Sequence, residues 1–214
     1  MFSKPSVYFI LGTADAGRKD PLHILEKALE GGITHFQLRE KGPGALTGQS
    51  LTEFAIQCQK LCGTWKVPFI VNDDVELACA ISADGIHVGQ EDADALTVKE
   101  RMGKGMILGV SVHSIEEAEK AIRSGADYLG MGPVYGTKSK PDAKEPSGVT
   151  KILKVRERFP EMPVVGIGGI TALNAGPVWD AGAKGVAVIS AIAGANDVQM
   201  EVKRIMNSYK GERL

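Results

Sequence analysis

Short apolar runs alternate with longer amphipathic stretches eight times along this chain of 214 residues, and few folds accept that pattern. The apolar runs fall at 7–11, 35–39, 69–71, 85–88, 106–110, 128–131, 164–167 and 185–189. Their shortness and their content of Val, Ile and Phe mark them as strands. Helical periodicity fills the intervals at 21–30, 51–63, 75–81, 95–102, 115–124, 149–159, 174–181 and near 197–209. Ser114, with Glu117 three residues on, forms a capping box that marks the start of the fifth helix. Strand–helix alternation favours a parallel sheet covered by helices, and eight units favour its closure into a (β/α)₈ barrel. The expectation is an α/β protein with one barrel domain over residues 1–214. An open doubly wound sheet is the alternative. Against it, Gly12-Thr13-Ala14-Asp15-Ala16-Gly17 does not have the glycine spacing of a dinucleotide-binding turn.

A weak internal repeat supports the count. Gly31-Gly32, Ser82-Ala83-Asp84-Gly85, Ser124-Gly125-Ala126-Asp127 and Ala181-Gly182-Ala183-Lys184 each end a helix and introduce an even-numbered strand. Glycine after a helix takes the left-handed C-terminal conformation cheaply. No low-complexity tract divides the chain. The longest irregular segment is 134–147, rich in Lys, Pro and Gly, and a loop of that length in a compact domain is usually functional or disordered.

Composition removes several classes of function. Hydrophobic residues make up 43%, enough for a full core. No stretch reaches the ~18 apolar residues of a membrane span. The N-terminus lacks the basic-then-apolar layout of a signal peptide, so a cytoplasmic location is expected. The 25 basic and 26 acidic residues leave a net charge of −1. That balance gives no general pull toward nucleic acid or an anionic membrane. The expected partners are small-molecule substrates, with the chain as a monomer or small homo-oligomer. Three cysteines do not make a disulfide framework. Cys58 and Cys62 share a helix face without further ligands at zinc spacing, and read as core thiols.

In a barrel the strand ends and the loops after them form the active face. Strand two ends in Gln37-Leu38-Arg39-Glu40-Lys41, where alternation turns Gln37 and Arg39 inward and adds two cations at the mouth. The bland reading is a basic turn balanced by Glu40. Strands three and four run into Asn72-Asp73-Asp74 and Gln90-Glu91-Asp92. Two acidic clusters on adjacent strands suit a hard cation, since Mg²⁺ takes one or two carboxylates and completes its shell with water and phosphate oxygens. Helix capping is the competing use, and Asp74 and Asp94 read as caps. Strand five leads to Ser111 and His113, either of which has a structural reading as well. His87 reads as a residue lining the core. Thr137, Ser139 and Lys140 in the long loop suit a polyphosphate; the bland reading is a solvated charged loop. The glycines at 166, 168 and 169 after strand seven, and Ile189-Ser190 after strand eight, sit where barrels commonly bind phosphate. These residues together describe a metal-dependent enzyme acting on phosphorylated small molecules.

The motifs Gln37-Leu38-Arg39-Glu40-Lys41, Val71-Asn72-Asp73-Asp74, His87-Val88-Gly89-Gln90-Glu91-Asp92, Gly132-Pro133-Val134-Tyr135 with Thr137 and Lys140, and Gly166-Ile167-Gly168-Gly169-Ile170 occur in order over nearly the whole chain. As a series they resemble the signature of the thiamine phosphate synthases. The resemblance implies a transferase that joins 4-amino-5-hydroxymethyl-2-methylpyrimidine diphosphate to 4-methyl-5-(2-hydroxyethyl)thiazole phosphate, with one Mg²⁺ per site. It implies that Asp73 and Asp92 hold the metal. It places Arg39, Lys41, Asn72 and Lys140 around the diphosphate, and Gln37 and Ser111 at the pyrimidine. Gly169, Ile189 and Ser190 receive the thiazole phosphate, with the hydroxyls of Thr137 and Ser139 near that end. Catalytic roles fall to Lys140, Arg39, Lys41 and Ser111. The second hydroxyl is usually Thr in the family, and Ser139 keeps it. The nearest rival is a thiazole tautomerase on the same barrel, for which His113 is a candidate proton carrier. Further rivals are a barrel that only binds thiazole or thiamine phosphates, and an unrelated phosphate-binding barrel.

Overall fold

The computed structural model describes residues 2, 4–137, 139 and 144–211. Eight parallel strands close into a barrel in sequence order. They are β1 (Ser6–Leu11), β2 (His35–Leu38), β3 (Phe69–Asn72), β4 (Gly85–Val88), β5 (Ile107–Val112), β6 (Tyr128–Met131), β7 (Val164–Ile167) and β8 (Gly185–Val188). The sheet closes by pairing β8 back on β1, with Val7 opposite Val186. Helices α1 (Pro21–Gly31), α2 (Gly48–Trp65), α3 (Val75–Ala80), α4 (Ala95–Arg101), α5 (Ile115–Arg123), α6 (Thr150–Arg158) and α7 (Gly176–Asp180) cover the outside. A short α8 (Ser190–Ala193) follows β8, and α9 (Val198–Asn207) packs on α1 to finish the shell.

Alternation along each strand divides the core in two. Val7, Phe9 and Leu11 of β1 join Phe36, Phe69, Ile86 and Leu108 in the layer between sheet and helices. Burial of each such side chain stabilises the fold by about 1.5–3 kcal/mol. Tyr8 and Ile10 instead turn inward, with Ile70, Tyr128, Val165 and Ala187. Gln37 and His87, both buried, accompany them, so the interior is unusually polar.

That polarity explains the boundaries that periodicity misplaces. A polar residue reads as the end of a run, yet Ser111 and Val112 continue β5 by pairing with Gly130 and Met131. Asn72 likewise extends β3, opposite His87. Arg39 leaves β2, although its N–H still bonds to Leu11 O at 3.0 Å. The pattern gives no sign of α8, which is a single turn. The repeat holds at Gly32, Gly125 and Gly182, all with positive φ; in the remaining copy Ser82 adopts φ 52° without glycine. Asp84 and Asp127 of the repeat accept from the first N–H groups of strand regions, Phe69 and Leu108, each at 2.8 Å. Asp74 and Asp94 cap α3 and α4. Cys58 and Cys62 are buried free thiols, pushed well above the ordinary value by burial.

At the barrel floor Phe2 stacks on His35 with centroids 4.4 Å apart, and Tyr8 stacks near it at 5.5 Å. Burial drives the His35 imidazole down from 6.5 to about 4. The unfolded chain takes up this proton near pH 6.5. Stability from keeping His35 neutral is therefore complete above that pH and lost as the pH falls toward 4, a swing of about 3 kcal/mol. Chemical denaturation at pH 7 and pH 4 is expected to show that much more loss in the wild type than in His35→Gln. Equal losses would remove His35 from the account.

Candidate active site

The barrel mouth opens into a cavity of about 340 Å³. One end is built from the loops after β2, β3 and β4. Glu40 shapes it by accepting from Thr13 N at 2.8 Å and Leu46 N at 2.9 Å, and from the Thr13 hydroxyl. Its carboxylate thus clamps the loop after β2 to the loop after β1, instead of balancing the basic turn. Gly12 permits the approach, because a Cβ there would overlap Arg39 O. Arg39 and Lys41 are left on the cavity wall.

Lys41 Nζ forms an ion pair with Asp73 and lies 3.8 Å from Asp92 Oδ1. Asn72 Nδ2 donates to Asp73 Oδ2. Asp73 sits at φ 62°, a conformation Asp and Asn tolerate better than most residues. Asp92 also accepts from Gly89 N at 2.9 Å, which shapes the turn after β4. Burial pushes the Asp73 carboxyl above its usual value; Lys41 opposes the shift and the adjacent Asp92 adds to it. Two neighbouring carboxylates in a half-buried place call for positive charge.

The other end is built after β6, β7 and β8. Gly168 and Gly169 have φ 102° and 60°. A Cβ on Gly168 would stand 2.6 Å from Pro133 Cα, and one on Gly169 would overlap Gly136 O. Only bare backbone lets the β7 loop lie under the β6 loop, where Tyr135 N bonds to Gly168 O at 3.0 Å. Ser139 N donates to Thr137 Oγ1 at 3.2 Å, and Ser139 Oγ lies 3.4 Å from Ser190 Oγ at the start of α8. Three hydroxyls and a glycine backbone thus converge where Ile189 turns into α8.

Of the residues singled out from the sequence, Arg39, Lys41, Asn72, Asp73, Asp92, Ser111, Thr137, Ser139, Gly169, Ile189 and Ser190 all line this one cavity. Gln37 lies deeper: it is 2% exposed, off the cavity wall, and bonds to Tyr8. Lys140 lies outside the described residues. Sequence reasoning missed Gln90, Lys144 and Thr171 as wall residues. Gln90 was legible as part of an acidic cluster, but its tie to Ser111 O at 2.7 Å depends on the β4–β5 contact. His113 also lines the cavity, with Nδ1 3.0 Å from Glu117 Oε2, and Lys144 Nζ lies 3.7 Å from the same carboxylate.

Fold and site define a class: barrel enzymes that handle phosphorylated small molecules at the C-terminal ends of their strands. The comparisons narrow the class. The model of the family described as "Thiamine monophosphate synthase" matches residues 7–192, so the chain belongs to that family. The "Thiamine-phosphate synthase" of Geobacillus kaustophilus is 55% identical over 100% of this chain and 96% of its own. The Bacillus velezensis protein of the same name is 52% identical over 96% and 91% of the two chains. Among solved structures, the thiamine phosphate pyrophosphorylase from Pyrococcus furiosus superposes with a TM-score of 0.86 at 35% identity, over 96% of this chain and 95% of that one. The enzyme is a transferase of thiamine biosynthesis. The tautomerase alternative gains no support from these relatives.

Proposed function

We propose that the enzyme, one catalytic domain over residues 1–214, joins the pyrimidine diphosphate to the thiazole phosphate and releases diphosphate. The observation that carries this is a single cavity with two unlike anion-binding ends. A carboxylate pair with cations faces a glycine and hydroxyl cradle. Its volume suits the two small ring substrates.

The C–O bond between the pyrimidine methylene and the diphosphate breaks first, its electron pair leaving with the oxygen. The aminopyrimidine ring delocalises the resulting cation, and the thiazole nitrogen lone pair forms the new C–N bond. No strong general base is needed. The chain must instead neutralise charge on the departing group and exclude water. Arg39 and Lys41 stand on the wall for the first task; Lys140 joins them on the family resemblance. Asp73 and Asp92 fit Mg²⁺, being adjacent hard oxygen donors already facing an ammonium group, and the ion would add charge neutralisation at the diphosphate. Among the described residues no group of three or more His, Cys, Asp or Glu clusters as a metal site. Two carboxylates leave the remaining coordination positions to water and phosphate oxygens. Gly169, Ile189, Ser190, Thr137 and Ser139 receive the thiazole phosphate, and Ser111 meets the pyrimidine, while Gln37, off the cavity wall, bonds to Tyr8 instead.

No helix among the described residues is long and apolar enough to cross a membrane. We place the enzyme in the cytoplasm, as a monomer or small homo-oligomer without nucleic-acid partners. The test is a coupling assay with both substrates and Mg²⁺, with EDTA as control. Metal-dependent thiamine phosphate supports the reading. No product from folded protein sinks it and makes His113 the next residue to examine. Lys140→Ala is expected to lower kcat about a hundredfold, the scale of one preorganised electrostatic donor. Near wild-type turnover would remove Lys140 from the diphosphate.

A further inference from the structure

From the buried layer up to the cavity wall, the barrel interior holds a row of polar side chains that ends at His87 and Ser111. It crosses from β2 to β5. Gln37 Nε2 donates to Tyr8 Oη at 2.9 Å. Tyr8 Oη and Tyr128 Oη are 2.7 Å apart. Tyr128 Oη lies 2.9 Å from His87 Nδ1, and His87 Nε2 lies 2.9 Å from Ser111 Oγ. Both phenols are fully buried, and burial raises them far above the usual phenol value. They therefore stay protonated, and each has one hydrogen to place.

The Gln37 amide sets the direction. With its N–H on Tyr8, the Tyr8 hydrogen goes to Tyr128, and the Tyr128 hydrogen goes to His87 Nδ1. The imidazole hydrogen then sits on Nε2 and is donated to Ser111 Oγ. Ser111 keeps its own hydrogen, and the cavity it lines is the place to direct it. In the reverse direction Tyr8 would donate to Gln37, which requires the amide turned over so that Oε1 rather than Nε2 meets the phenol. The fold makes room for this row. Gly109 is bare where a Cβ would overlap the Tyr128 ring and His87 Nδ1, and a Cβ on Gly130 would stand 3.1 Å from His87 Cε1.

We propose that Tyr8, Tyr128 and His87 are positioning residues which lock Ser111 as a hydrogen-bond donor toward the cavity, so that the substrate atom facing it is an acceptor. The chemical part rests on the reading that Ser111 meets the pyrimidine. Ring nitrogens of an aminopyrimidine accept hydrogen bonds and its exocyclic amine donates them. The relay therefore selects the edge of the ring that faces β5.

¹⁵N NMR of histidine-labelled, ligand-free enzyme reads the relay without any assay of activity. The expected result is His87 with hydrogen on Nε2 and a bare Nδ1. Hydrogen on Nδ1, or on both nitrogens, overturns the proposal. The second arm uses Tyr128→Phe, which keeps the ring and removes the central hydroxyl, with Tyr8→Phe as the milder break. The expected result is a gain of the Nδ1–H form and a rise of about tenfold in KM for the pyrimidine diphosphate, the scale of one misdirected hydrogen bond. KM for the thiazole phosphate should hold. An unchanged tautomer, or both KM values rising together, indicates general structural support and overturns the proposal. If the wild type makes no thiamine phosphate while His87 carries its hydrogen on Nε2, the substrate reading fails and the relay stands.

Discussion

Asp73→Asn is expected to cut kcat/KM on the order of 10³-fold, at the upper end of what one preorganised electrostatic group supplies. Asn is the instructive replacement. Asp73 sits at φ 62°, where Asn is tolerated and Ala is strained. Its amide also keeps an oxygen toward Asn72 and Lys41. What disappears is one negative charge from a pair that faces a lysine, and with it half of the proposed Mg²⁺ contact. Titration calorimetry with Mg²⁺ and inorganic diphosphate should show weakened metal binding alongside the loss of rate, while the melting temperature holds. Undiminished Mg²⁺ binding in a folded Asp73→Asn protein would take the metal away from this carboxylate.

Gly109→Ala is expected to be strongly destabilising, although it adds only one methyl group to the barrel interior. The added Cβ would overlap the Tyr128 ring and His87 Nδ1, and neither can withdraw, because both are hydrogen-bonded inside a closed barrel. Overpacking of this kind costs about 1–3 kcal/mol, and breaking a buried polar network adds a similar amount. A total near 3 kcal/mol lowers Tm by about 10 °C for a chain of this size. Calorimetric scans of the two proteins side by side decide it. A change below ~2 °C would mean that the interior row has slack which the bond lengths do not suggest.

The eightfold pattern and its strand order were legible because apolar runs of period two and amphipathic stretches of period 3.6 are local signals. Most of the site was legible for a related reason. Barrel topology puts whatever follows each strand on one face, so Arg39, Lys41, Asp73, Asp92 and Ser190 were found by position along the chain. Caps at Asp74, Asp94 and Ser114 were equally local, and all three bond to their helix N-termini.

Contacts across the barrel were not legible. Glu40 read as a counter-charge to its neighbours, yet it bonds to Thr13, 27 residues away. Gln37 read as turned into the barrel, but nothing local showed that it lies in the buried layer with Tyr8 as its partner. Tyr8 and Tyr128 carried no signal, being aromatics in apolar strands 120 residues apart. The sequence by itself determined the barrel, the face that carries the chemistry, and the residue types on that face, because each follows from periodicity and chain order. Only the tertiary structure decided which polar groups meet inside. Closing the sheet brings β2, β5 and β6 within hydrogen-bonding reach of β1 and β4, and the partner of a buried polar group is set by geometry rather than by sequence neighbours.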